Sequence, residues 1–218
     1  STKNSTTIKP LYSHKNVEKI IGIMKRAKTP RVDELCLATL QNVTHAFESA
    51  GKIYKQGGAI EELVELAMSK DDNTRSLAVS VLCTLTFDKS NAENLVQENT
   101  LETLVEVART SNSNAPRVAA AFNNFSCIFN GKYIDKLIDV GAVKVLISML
   151  SSDKQDVRNQ AAKALCHVSC FAHYNYLALP LVPGIICRSD NTSTYWRSVV
   201  NEGGIEQIML TGLLRNPA

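Results

Sequence analysis

The chain has 218 residues, of which 44% are hydrophobic and 21% charged, and a formal net charge of +3. This is the composition of an ordinary folded chain, and a charge so small gives no case for nucleic acid or a membrane surface as partner. No apolar run reaches the roughly 20 residues of a membrane-spanning helix, and the polar segment opening at Ser1 is unlike a signal peptide.

In chain order, a first unit (12–49) reads as two helices, Val17–Arg26 and, after Thr29-Pro30, Val32–Phe47. A second unit (50–89) reads as a short helix near Lys52–Gln56, a second over Ala59–Ser69 and a third over Asn73–Phe87, with Asp71-Asp72 as its cap. The third unit (90–130) repeats the plan with Ala92–Gln97, Leu101–Thr110 and Pro116–Phe129. Pro116 suits a first helical turn, where its missing N–H costs nothing. The fourth unit (131–172) is the clearest: Lys132–Val140, a break at Gly141, Ala142–Ser151, capping residues Ser152-Asp153, then Gln155–Cys170.

The units share a period. The leading apolar residues of the second helices are Val17, Ile60, Leu101 and Val143, at steps of 43, 41 and 42 residues. A helical period near 42 predicts a stacked α-solenoid, one domain over 1–218 without internal boundaries. Ile205 is the next match, but it follows Val143 by 62 residues, about 20 beyond the period. An insertion or diverged segment is therefore expected at 173–194, where Pro180, Pro183 and Gly184 oppose a continuous helix, with a partial repeat at 195–218. The missing initial Met is what a piece of a longer chain would show.

Six cysteines occur without the spacing of a disulfide framework, and Cys83 and Cys166 fall in the apolar helical pattern as core thiols. A reducing compartment, cytosol or nucleus, is expected. Four Asn-x-Ser/Thr triplets begin at Asn4, Asn42, Asn124 and Asn191; those at Asn42 and Asn124 lie in predicted helices, where glycosylation is the poorer reading. Cys166, Cys170 and His173 share one helix face but lack the Cys-x-x-Cys spacing of structural zinc sites, so no metal or other cofactor is expected. No nucleophile elbow, phosphate loop or dinucleotide fingerprint is present, and no catalytic residue is assigned.

The run Gly-Ala-Val-x-x-Leu-Ile-x-x-Leu-x-Ser, continued by Val-x-x-x-Ala-Ala-x-Ala-Leu to residue 165, resembles an armadillo repeat, and weaker matches cover the earlier units. The resemblance implies a right-handed superhelix whose third helices line a concave groove. It also implies a non-enzymatic scaffold or adaptor that captures an extended peptide. The family's ladder position, an Asn near each third-helix end, aligns with Asn42, Thr84, Asn124 and His167. One turn earlier, where importin-α-like members carry Trp, stand Ala38, Ser80, Ala120 and Lys163. The single tryptophan, Trp196, lies elsewhere, so capture of basic signals between Trp–Asn pairs is not expected.

Arg31, Arg75, Arg117 and Arg158 near third-helix starts would make a basic stripe, as in β-catenin-like grooves, and favour an acidic segment; solvated arginines paired with helix-start acids are the alternative. Phe87, Phe125 and Phe129 lie near third-helix ends as core residues or pocket walls. Docking of a folded partner, such as a small GTPase or a chaperone, is a second reading of the whole surface. A zinc-dependent enzyme and an RNA reader are further alternatives, the latter disfavoured because the ladder lacks regular stacking aromatics.

Overall fold

The computed structural model describes residues 14–46, 58–127 and 132–174, with side chains placed for 16–44, 58–127 and 132–168. The elements are α1 (His14–Ala27), α2 (Pro30–Ala46), α3 (Ala59–Ala67), α4 (Asp72–Leu85), α5 (Ala92–Gln97), α6 (Thr100–Thr110), α7 (Ala115–Cys127), α8 (Ile134–Asp139), α9 (Ala142–Met149) and α10 (Gln155–Tyr174), with 3-10 turns at Lys89–Asn91 and Asn112–Asn114. Among the described residues there is no strand. The chain divides into two compact units, Ser1–Arg117 and Val118–Ala218.

The helix starts follow from local chemistry. Pro30 is the first residue of α2, where no N–H is required. The Asp71 carboxylate accepts from the Thr74 amide at 2.7 Å and so caps α4. One left-handed residue precedes each second helix: Gly58 (φ 66°), Asn99 (φ 56°) and Gly141 (φ 79°), the last two following the short helices α5 and α8. The carbonyls of Gly58 and Asn99 then accept from Glu62 and Thr103, at 3.2 and 3.1 Å, which begins the second helix. Asn is the residue besides Gly that most readily takes this conformation, which is why Asn99 can replace a glycine in the third repeat.

In the first unit, α4 packs against both α2 and α3. Its core includes Met24, Leu37, Leu40, Leu63, Leu82 and Leu85, each 0–1% exposed. In the second unit Phe122 and Phe125 of α7 are fully buried, and the Phe125 ring meets Tyr133 edge-on at 6.1 Å and 87°. Ala161 and Ala164 of α10 are also fully buried, as small residues at a close helix contact would be.

Several sequence expectations are corrected. The third helix of the second repeat ends at Leu85 and not at Phe87. The Thr86 hydroxyl donates to the Cys83 carbonyl at 2.6 Å, and the buried Asn91 amide donates to the Leu85 carbonyl at 3.1 Å. These bonds satisfy the last carbonyls and stop the helix. Phe87 therefore leaves the helical pattern and is 71% exposed, whereas Phe125 is core. Cys166 is exposed although its aligned partner Cys83 is buried. The helical period marks a face; it does not say whether a neighbour covers that face. Helix α10 continues to Tyr174, past the expected end at Cys170. The expected helix at Lys52–Gln56, Phe129, the 173–194 insertion beyond Tyr174 and the partial repeat at 195–218 lie outside the described residues.

Candidate functional site: the third-helix ladder

In the first unit the ladder is carried by α2 and α4. Asn42 is exposed and Thr84 half-buried. One turn earlier Ala38 is half-buried and Ser80 buried. The Gln41 amide donates to the Ser80 hydroxyl at 2.9 Å and links the two helices directly beside the ladder. Thr84 donates its hydroxyl proton to the Ser80 carbonyl at 2.8 Å, so towards a ligand it offers only lone pairs. An Asn there would both donate and accept. The Ser76 hydroxyl bonds the buried Asn114 Oδ1 at 3.2 Å and fixes the start of α4 to the turn before α7.

In the second unit α7 and α10 carry Ala120, Asn124, Lys163 and His167; all are half-buried except Lys163, which is exposed. The Asn123 amide donates to Gln160 Oε1 at 3.0 Å. This is the counterpart of Gln41: in both units the residue just before the ladder Asn holds the next third helix. Sequence reasoning missed this pair. Its signal is the two consecutive amides, Gln41-Asn42 and Asn123-Asn124. His167 Nδ1 lies 3.2 Å from Ser126 Oγ and 3.0 Å from Cys127 Sγ. Burial and the nearby Lys163 charge push the His167 pKa below the usual 6.5, so the ring is neutral at pH 7.

The arginines have individual uses. Arg75 donates through Nη1 to the Ser69 carbonyl at 2.9 Å and pairs with Asp72. Arg158 repeats the arrangement, donating to the Ser152 and Asp153 carbonyls at 2.6 and 2.9 Å and to Gln155. Each guanidinium thus closes the turn between the second and third helix of its own repeat. Arg31 pairs with Glu34 at 3.3 Å, with its side chain 78% exposed. Arg117 is exposed, and its charge acts on Cys83, whose thiol pKa burial pushes up to about 12. Among the described residues no group of three or more His, Cys, Asp or Glu side chains is placed to hold a metal ion, and no helix is long and apolar enough to cross a membrane.

A family model described as the armadillo/β-catenin-like repeat matches residues 132–170. The fold is armadillo-like. An engineered protein solved by a structural genomics consortium superposes with a TM-score of 0.75 at 24% identity, covering 100% of this chain and 81% of that one. A designed armadillo repeat protein in complex with the peptide (KR)4 gives a TM-score of 0.76 at 16% identity, over 99% and 82% of the two chains. Computationally designed armadillo repeat proteins for modular peptide recognition give 0.70 at 17%, over 92% and 87%. No curated protein matches the chain. The armadillo-like α-solenoid expected from the period is thus the observed fold, and the matched segment coincides with the repeat read most clearly in the sequence.

Proposed function

We propose that this chain is a non-enzymatic protein-binding module, a scaffold or adaptor, whose third-helix surfaces hold an extended peptide. The observation that carries the reading is the paired amide in each unit. Gln41 and Asn123 fix the helices on which Asn42 and Asn124 are mounted, so the ladder amides are displayed from a braced surface. Asn42 and Asn124 donate to and accept from peptide backbone, Thr84 accepts a peptide N–H, and neutral His167 adds a polar contact. Phe87, three residues beyond Thr84, offers an exposed apolar contact.

The charge preference rests on Arg117 and Lys163. Arg75 and Arg158 are engaged within their own repeats, whereas Arg117 and Lys163 are exposed at or beside the ladder. This favours an acidic segment, unlike the (KR)4 peptide in the complex of the designed armadillo repeat protein. A reducing compartment, cytosol or nucleus, suits the free thiols of Cys36, Cys83, Cys127 and Cys166. Docking of a folded partner, such as a small GTPase or a chaperone, is favoured by one observation: Ile23, Leu35, Met68 and Phe87 of the first unit are large, apolar and exposed.

Selection from a display library of random peptides on the full chain tests the reading. Enriched peptides rich in Asp and Glu that bind weakly to Arg117→Glu/Lys163→Glu support it. Enrichment of basic peptides, or no enrichment at all, argues against it.

A further inference from the structure

Cys127 ends α7 as an exposed thiol, and α10 brings His167 against it. The Sγ–Nδ1 distance is 3.0 Å, within the reach of a thiol–imidazole hydrogen bond, and Sγ–Nε2 is 3.7 Å. Two further groups complete the cluster. Asn123 Oδ1 lies 3.8 Å from Sγ, and Ser126 Oγ lies 3.2 Å from Nδ1. The Ser126 hydroxyl has two acceptors in reach, the Asn123 carbonyl at 2.7 Å and the Nδ1 lone pair, and it accepts from Nδ1 once that nitrogen is protonated. Lys163, on α10 one turn before His167, adds a positive charge that acts on both Cys127 and His167. The peptide reading uses His167 only as a polar contact and gives Cys127 no role.

We propose that Cys127 is a thiol-modification site, with His167 as its proton acceptor, that forms a mixed disulfide with low-molecular-weight disulfides bearing carboxylates. The Nε2–H tautomer of His167 presents the Nδ1 lone pair to the thiol. As Sγ attacks one sulfur of the incoming disulfide, its proton passes to Nδ1. The imidazolium N–H is then shared with Ser126 Oγ. The new Sγ–S bond forms as the old S–S bond breaks, and the departing thiolate takes the proton from the imidazolium. One thiol and one disulfide become one mixed disulfide and one free thiol, with His167 returned neutral. Lys163 favours approach of the anionic reagent. Burial raises the Cys127 pKa, opposed by Ser126 and Lys163, while His167 is held low. The resting pair is therefore neutral, and the imidazole is available as a base at pH 7.

The test treats the full chain with oxidised glutathione at pH 7 and follows each cysteine by mass spectrometry. Cys166, exposed on α10, is the internal reference. Cys127 is expected to react about tenfold or more faster than Cys166. His167→Gln is expected to remove that advantage, and Lys163→Gln to slow oxidised glutathione severalfold more than it changes the rate with uncharged 2-hydroxyethyl disulfide. Circular dichroism of each variant separates lost reactivity from lost fold. If His167→Gln unfolds, the wild-type pH profile decides. Cys127 should keep reacting at pH values where Cys166 has slowed, down to the titration of His167. Equal rates at Cys127 and Cys166 with parallel pH profiles, or an unchanged Cys127 rate in folded His167→Gln, would overturn the proposal.

Discussion

Gln41 and Asn42 are sequence neighbours with different tasks, and so are Asn123 and Asn124. The first of each pair faces the next third helix; the second belongs to the ladder. The same division separates the arginines. Arg75 and Arg158 close turns, while Arg117 and Lys163 are exposed. Neutralising the first pair should therefore act on stability and the second on binding. Arg158→Gln removes charge-assisted bonds to two carbonyls, and the expected cost is about 1–2 kcal/mol in urea unfolding. Lys163→Gln should leave the urea midpoint unchanged and weaken an acidic peptide. The Asp71 cap makes a pH-dependent contribution. Hydrogen bonding from Thr74 holds its carboxyl below the ordinary 3.8. Its stabilisation is present above pH 3.8 and is lost as pH falls through the lowered folded value. Asp71→Ala should lower the melting temperature at pH 7, and the deficit should vanish at sufficiently acid pH.

At the scale of elements, the repeat depends on a left-handed residue immediately before the second helix. The positive φ at residues 58, 99 and 141 turns the chain so that the second helix can begin immediately. A side chain with a Cβ is disfavoured there by roughly 1–2 kcal/mol, least for Asn. Gly141→Ala should cost about that much in urea unfolding, and Gly141→Asn clearly less, as Asn99 already shows within this chain. Equal losses for the two would mean that space, and not backbone conformation, limits the position. Among the described residues the order of the helices was legible in sequence, because apolar spacing and Gly58 and Gly141 mark the repeats. Asn99 was less legible, since an Asn before a helix reads as an ordinary side-chain cap. The end of α4 was misplaced because Thr86 and Asn91 stop it through hydrogen bonds, which leave no trace in an apolar pattern.

At the scale of the whole molecule, the period identified the fold, and structures that share it at 16–24% identity superpose on 92–100% of the chain. The candidate site was legible only in part. Ladder positions follow from the register of the third helices, so Asn42, Thr84, Asn124 and His167 could be named from sequence. Their chemistry could not, because it depends on neighbours from other repeats: Ser80 reached by Gln41, Gln160 by Asn123, and Cys127 beside His167. Burial had the same limit, as Cys166 and Phe87 show. The ladder's function is tested most directly by the affinity of a selected acidic peptide for the wild-type chain and for Asn42→Ala/Asn124→Ala, measured side by side by fluorescence anisotropy. Each backbone clamp contributes roughly 0.5–1.5 kcal/mol, so the double variant should bind about tenfold more weakly while circular dichroism shows it folded. Affinities within twofold of each other would contradict a ladder that holds peptide backbone and would leave a folded partner docking elsewhere on the surface as the better account.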